Sequence, residues 1–288
     1  MINKEKFYGI NESNWGHKWG YKDSGFKINS DKSVTFTGKR YPICGKKLYN
    51  FIPFVEEILG VEFTLEPKIK EVEEKHVSDP NINEPFMDDL KKSFDADRFS
   101  GEHNERLLHS HGQHSTDEVY KVLYNKLDQF ADLVFYIESE EETIRLIDLA
   151  EKHNVCLIPY GGGTNVTNAL RPPKEDDRMV VSVDTRRMAA VESVDEHNLM
   201  VTVGAGITGK VLEQELNKKG FTVGHEPDSY EFSTVGGWIS TNAAGMKKHR
   251  YGNIEDIVQD LTMITPKGKI NQMMPLTRSS FGIKPQNI

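Results

Sequence analysis

The alternation of apolar and polar positions divides this chain of 288 residues into a weakly patterned first part and a regular second part. In the first part, the tryptophan- and glycine-rich stretch Asn14-Trp15-Gly16-His17-Lys18-Trp19-Gly20-Tyr21 precedes residues 31–38, whose alternation predicts an exposed strand. Residues 48–59 carry apolar side chains at helical spacing and end at Gly60, which predicts a short helix closed by glycine. Residues 61–100 are charged and weakly periodic, with Asp79-Pro80 and Glu84-Pro85 as breaks, and read as an extended linker or wrapping arm. From Phe130 strands and helices alternate: a strand over 133–137, a helix over 140–153 capped by Ser139, strands over 155–159, 179–183 and 199–203, and a helix over 208–219. Short connections between such elements predict an α/β arrangement in this part, after a mainly helical and irregular N-terminal region.

Composition narrows the function classes. With 37% hydrophobic and 28% charged residues the chain can bury the cores of two modest domains, and the net charge of -8, spread over both halves, argues against a nucleic-acid surface. The two cysteines are Cys44 and Cys156, the latter inside the apolar run Val155-Cys156-Leu157-Ile158, so no disulfide framework is expected. No run approaches a membrane span, no signal peptide is recognised, and the last residues, Gln286-Asn287-Ile288, do not form a peroxisomal address, so the chain is expected to be made as a soluble protein.

The candidate chemistry lies in three glycine-bearing segments. Pro159, Tyr160, Gly161, Gly162, Gly163, Thr164 and Asn165 follow a predicted strand directly, and three consecutive residues without a Cβ let backbone N–H groups converge as they do around a pyrophosphate. A tight turn that holds no ligand has the same pattern. The second segment, Gly204-Ala205-Gly206-Ile207-Thr208-Gly209, matches G-x-G-x-x-G between a strand and a helix, which makes a nicotinamide-binding Rossmann unit a rival with Glu226 or Asp228 as its acidic residue. The third runs through Asp228, Ser229, Tyr230, Glu231, Phe232, Ser233 and Thr234 to Thr241, Asn242, Ala243, Ala244 and Gly245, then Tyr251-Gly252-Asn253-Ile254-Glu255-Asp256. Its small residues and hydroxyls suit a flat, polar-edged ring system approached closely by backbone.

Together the first and third segments resemble the FAD-binding, PCMH-type domain of the vanillyl-alcohol oxidase and p-cresol methylhydroxylase family, and within it the alkylglycerone-phosphate synthases. The likeness extends over Trp19-Gly20-Tyr21 with Asp23-Ser24, Thr37-Gly38-Lys39-Arg40-Tyr41-Pro42, Gly206-Ile207-Thr208-Gly209, the run from Gly224-His225-Glu226-Pro227-Asp228-Ser229 to Trp238, and Gly245-Met246-Lys247-Lys248. The resemblance implies an α+β fold: an N-terminal region over 1–127 and, over 128–288, an FAD-binding domain of two α/β subdomains, incomplete at its C-terminal end. It implies FAD as cofactor, held by residues 159–165, 228–234 and 241–244. It also implies a transferase of ether-lipid biosynthesis that exchanges the acyl chain of acyl-dihydroxyacetone phosphate for a fatty alcohol, with no net redox change at the flavin, in the peroxisome, a homodimer being compatible with it. A flavin-dependent oxidase or dehydrogenase of the same fold, or an inactive flavin-binding paralogue, are the alternatives. The family's later Gly-Ser-Glu-Gly-Thr segment and its substrate-binding cap have no counterpart in these residues, so no catalytic residue is assigned and turnover by this chain alone is not expected.

Other clusters read more plainly. His103, His109, His111 and His114 are close in sequence but lack ligand geometry, and no metal site is predicted. The family has a similar stretch at Arg106 and His111-Gly112, facing its cavity, but a solvated helix start is the expected role here. Lys247-Lys248-His249-Arg250 reads as solvated surface, and Trp15, Trp19 and Trp238 as packing residues.

Overall fold

The computed structural model describes residues 20–65 and 75–271; Trp15, Trp19 and the last 17 positions, 272–288, lie outside the described residues. β1 (Phe26–Ile28), β2 (Val34–Phe36) and β3 (Lys47–Leu48) form a small antiparallel sheet in that order. The strand expected over 31–38 is confined to β2, because Asn29 and Asp31 hydrogen-bond Ser33 and turn the chain there. α1 (Phe51–Leu59) follows and ends at Gly60 with φ 63°, a left-handed cap that glycine adopts without steric cost.

The expected linker is in part a core element. α2 (Glu84–Ser93) is capped by Asn83, whose side chain accepts from the Phe86 N–H, and it buries Phe86 and Leu90 completely. Pro85 had suggested a break, but in the first turn of a helix a missing N–H costs nothing. β4 (Phe99–Ser100), α3 (His103–Leu108) and α4 (Thr116–Leu123) come next.

The central sheet adds β5 (Leu133–Tyr136), then, beyond α5 (Glu140–His153), β6 (Cys156–Tyr160) and β7 (Val180–Asp184). Its order is β4-β5-β7-β6, with β5, β7 and β6 parallel and β4 antiparallel on the edge. Every residue of β5 and β7 is buried, as expected for parallel strands covered on both faces. α2 and α5 cover one face, packing Phe86, Leu90, Leu146 and Ala150 on Leu133, Phe135, Val181 and Val183. α5 follows its sequence signals: Ser139 accepts from the Glu142 N–H, three glutamates lie in the first turn, and Asn154 closes the helix at φ 54°. The register pairs Asp184 with both Tyr136 and Tyr160, so these three residues lie abreast at the carboxyl end of the parallel strands. Ligands of open α/β sheets bind at that end.

A second unit consists of the antiparallel hairpin β8 (Val191–Asp195) and β9 (Met200–Val203), onto which α6 (Gly209–Asn217) packs Leu212 and Leu216, with Ile207 just before the helix in the same cluster. α7 (Val235–Ser240), α8 (Lys248–Tyr251), α9 (Ile254–Ile257) and the hairpin of β10 (Thr262–Thr265) with β11 (Gly268–Asn271) follow. Among the described residues no helix is long and apolar enough to cross a membrane.

Candidate functional site

The first glycine turn leaves the sheet at Tyr160 and is pressed at once against the 229–234 segment. A Cβ on Gly162 would overlap the Phe232 carbonyl, and one on Gly161 would overlap the Thr234 hydroxyl. Gly163 has φ 68° and lies over the Tyr160 ring, so it is glycine for two reasons at once. None of the N–H groups from Gly161 to Asn165 donates to an acceptor among the described residues. The carbonyl of Gly163 is held instead, accepting from the Gln113 N–H at 2.7 Å, and Asn165 Oδ1 accepts from the Ala169 N–H at 3.1 Å. Pro159 is exposed and Thr164 half-buried.

The 229–234 segment is a tight turn. Phe232 and Ser233 N–H both donate to the Ser229 carbonyl, and Tyr230 N–H to that of Pro227. Ser233 accepts from the Trp238 indole at 2.7 Å, and Thr234 caps α7 by accepting from the Gly237 N–H. Asp228 is exposed, while the side chains of Glu231 and Phe232 turn toward residues 20–45. Thr241, Asn242 and Ala244 are exposed and Ala243 half-buried at the other end of α7, where Thr241 Oγ1 donates to the Gly237 carbonyl and Asn242 takes φ 47°. A six-residue helix therefore separates these two candidate segments, a span of about 9 Å.

His225 was absent from the expected site residues. It is 4% exposed, stands edge-on to Trp238 at 4.9 Å, and neither ring nitrogen has a partner among the described residues. Burial depresses its pKa, so the ring is neutral. Its position inside the Gly224-to-Ser229 run was the available signal.

The second glycine segment binds protein rather than a dinucleotide. β9 pairs antiparallel with β8, not in a parallel βαβ unit. Gly204 N–H donates to Ala190, Gly206 N–H to Met188 and Gly209 N–H to Ser233, and a Cβ on Gly206 would overlap the Thr185 carbonyl. Glu226 is ion-paired with Lys247. The Rossmann rival fails on this geometry.

Beneath the first turn lies a buried polar layer. Asp184 is fully buried, receives two guanidinium bonds from Arg186 at Oδ2, and accepts a hydrogen bond from His109 Nε2 at 2.9 Å. Desolvation would raise its pKa, but the Arg186 charge and the His109 bond outweigh this and hold the carboxyl well below the ordinary range. Arg186 also lies 5.0 Å over the Tyr160 ring, and burial pushes that phenol up to about 12. The histidine stretch is thus no solvated helix start: His109 and His111 are each 1% exposed, because their partners are Asp184 and the Glu105 and Gly112 carbonyls. His103 meets the Lys75 carbonyl instead, so the histidines do not converge. Arg106 spends its guanidinium on the Ala131 and Ser78 carbonyls. Glu118, with no exposed surface, accepts from the Gly112 N–H at 3.1 Å, next to Gln113, which holds the glycine turn. Lys248, His249 and Arg250 are exposed, as expected, and Trp238 is packed.

Residues 131–273 match the family model for the FAD-binding domain. The chain is 42% identical over 264 residues to an alkyldihydroxyacetonephosphate synthase of Caenorhabditis elegans, covering 92% of this chain and 44% of that protein. It is 33% identical over 276 residues to the enzyme of the same name from Trypanosoma brucei brucei, again over 92% of this chain and 44% of the relative. A solved alkyldihydroxyacetonephosphate synthase superposes with a TM-score of 0.84 at 30% identity, over 96% of this chain and 51% of that one. The chain thus spans about half the length of these relatives. A row of amides without acceptors among the described residues, at the carboxyl end of a parallel sheet, fits the flavin dinucleotide these likenesses bring: the chain has the PCMH-type FAD-binding fold and is a homologue of the alkyldihydroxyacetonephosphate synthases.

Proposed function

We propose that this chain supplies the flavin site of an alkylglycerone-phosphate synthase, which exchanges the acyl chain of acyl-dihydroxyacetone phosphate for a fatty alcohol in ether-lipid synthesis. The observation that carries this reading is the run of N–H groups from Gly161 to Asn165 with no acceptor among the described residues. Successive amides of that kind make an anion-binding concavity, and the pyrophosphate of FAD is the anion the family brings. Gly161, Gly162, Gly163, Thr164 and Asn165 would hold it, with Pro159 and Tyr160 fixing the approach of the turn. The 228–234 segment would support the dinucleotide beside this nest, and Thr241, Asn242, Ala243 and Ala244 would meet it farther along, as suits an extended ligand. His225, neutral and without a hydrogen-bond partner among the described residues, offers one donor and one acceptor beside Trp238. Bound FAD would supply an electrophilic ring; the chain's own part is to bind that ring, orient it and keep water from one side.

Residence in peroxisomes and a homodimeric state are part of the same proposal. Titrating the protein with FAD and following flavin fluorescence tests the cofactor site; saturable binding is expected, with no binding of NADH. Supplying FAD, acyl-dihydroxyacetone phosphate and labelled hexadecanol, with peroxide measured in parallel, separates acyl-for-alkyl exchange from an oxidase of the same fold. Peroxide without alkyl product would overturn the transferase reading and leave the flavin site standing.

A further inference from the structure

The N-terminal motifs, Tyr21 with Asp23-Ser24 and the stretch from Thr37 to Tyr41, contribute nothing to the central sheet and no glycine nest. They fold into a single knot. Thr37 Oγ1 accepts from the Gly25 N–H and donates to the Asp23 carbonyl, each at 3.0 Å. Gly38, at φ 88°, lies so close to Ser24 and Asp23 that a side chain could not be placed there. Arg40 pairs with Asp23 at 3.2 Å and lies 4.0 Å over the Tyr21 ring.

The knot presents two groups to the 229–234 turn. Tyr41 donates its phenol hydrogen to Glu231 Oε2 at 2.7 Å, and Tyr21 packs on Phe232 with ring centroids 5.2 Å apart. Lys210, in the first turn of α6, donates to the other Glu231 oxygen at 2.8 Å. Both carboxylate oxygens are therefore held, by elements far apart in sequence. Burial would raise the Glu231 pKa, but Lys210 and Tyr41 outweigh it and keep the group ionised at neutral pH. One residue on, the Phe232 carbonyl is the atom against which Gly162 is pressed. Glu231 and this carbonyl belong to one tight turn, closed by the Phe232 and Ser233 N–H groups on the Ser229 carbonyl, so a displacement of the Glu231 backbone is passed on to the Phe232 carbonyl.

We propose that Tyr41 and Lys210 are positioning residues of the flavin site: acting through Glu231, they fix the Phe232 carbonyl and so the geometry of the Gly161–Gly163 turn. This rests on the cofactor reading above. On it, the knot of residues 21–41 braces the cofactor site from behind, through Glu231 and Phe232.

The test uses the full chain and FAD itself. Tyr41→Phe keeps the ring and removes the hydrogen bond; Glu231→Gln keeps the shape and removes the charge. Each is expected to raise the FAD Kd about tenfold, equivalent to roughly 1.4 kcal/mol. The double variant should be no weaker than the weaker single one, because both changes break the same link. Positioning is separated from plain stability by two readouts: the absorbance fine structure of bound flavin, which a loosened turn blurs, and the melting temperature without FAD, expected to fall by no more than a few degrees. If Tyr41→Phe is recovered unfolded, Lys210→Met removes the other grip on Glu231 and should give the same tenfold loss. Wild-type protein that binds FAD, with all three variants binding it equally well and with unchanged spectra, would overturn the positioning role alone. Wild-type protein that takes up no flavin would overturn the cofactor reading and this proposal together.

Discussion

Two glycine turns in this protein look interchangeable on paper and have opposite fates in the fold. Both follow strands and both would be ruined by side chains, since Gly162 is pressed on the Phe232 carbonyl and Gly206 on the Thr185 carbonyl. The difference lies in the amides. Around Gly204, Gly206 and Gly209 they are committed to the carbonyls of Ala190, Met188 and Ser233, whereas from Gly161 to Asn165 none meets an acceptor among the described residues. Close packing explains the glycines in both places, and only the spare donors in the first turn point to a ligand. A motif that counts glycines cannot see this distinction.

The comparison breaks most severely at Gly162. Gly162→Val puts a branched side chain into the Phe232 carbonyl, so the turn must move away from 229–234. FAD binding is expected to fall more than about a hundredfold, with a stability loss of roughly 1–3 kcal/mol from overpacking. Equilibrium dialysis with FAD and urea unfolding measure the two effects. Unchanged flavin content would show that the turn does not carry the cofactor.

Asp184→Asn removes the support beneath the same turn. It leaves Arg186 buried without its counter-charge, a change that costs roughly 3–5 kcal/mol in comparable buried pairs. The carboxyl is depressed in the folded state, so its contribution is present above the unfolded carboxylate pKa, about 3.9, and is lost as pH falls through the lower folded value. Wild-type stability should therefore decline below about pH 4 more steeply than that of Asp184→Asn. Parallel urea curves for the two proteins between pH 5 and 2.5 would count against this.

Gly206→Ala is the control for the comparison. Its methyl group meets the Thr185 carbonyl, so stability should fall by roughly 1–3 kcal/mol. The folded fraction should bind FAD within twofold of wild type and bind no NADH. A selective loss of flavin affinity here would mean that the second turn also serves the cofactor.

How far these features could be read from the sequence depended on how local their causes are. α5 was legible because Ser139, the glutamates of its first turn and Asn154 act within one helix. The first glycine turn was legible because it follows a strand directly. α2 was not, because Pro85 breaks most patterns and is harmless only at the first turn, a position fixed by Asn83. The burial of His109 was hidden for another reason: its partner Asp184 is 75 residues away, and polar spacing carries no sign of a partner on a different strand. The contrast between the glycine turns was equally hidden, since Met188 and Ala190 offer only backbone carbonyls, which every residue has.

The smallest effect is expected at Glu118, which links the buried histidine stretch to the first turn. Its side chain has no exposed surface, Oε1 accepts from the Gly112 N–H, and Oε2 has no hydrogen-bond partner among the described residues. Arg171 lies 3.6 Å away at Nε and Asp117 and Lys121 also face it, but desolvation dominates and the pKa is raised. A carboxyl whose folded pKa is raised stabilises the protein fully below its unfolded pKa, about 4.3, and that stabilisation is lost as pH rises through the folded value. At pH 7 to 8 the ionised group is thus a burden on the fold. Glu118→Gln keeps an oxygen for Gly112 and removes the charge, so it should leave stability near pH 4 almost unchanged and raise it by up to about 1 kcal/mol at pH 8. Because Gly112 adjoins Gln113, whose N–H holds the Gly163 carbonyl, FAD affinity should become less dependent on pH over the same range. Urea unfolding and FAD titration at pH 4.5, 6 and 8 read both effects. A variant less stable than wild type at pH 8 would mean that the carboxylate gains more from Arg171 than burial costs it, and that an ion pair braces the first turn.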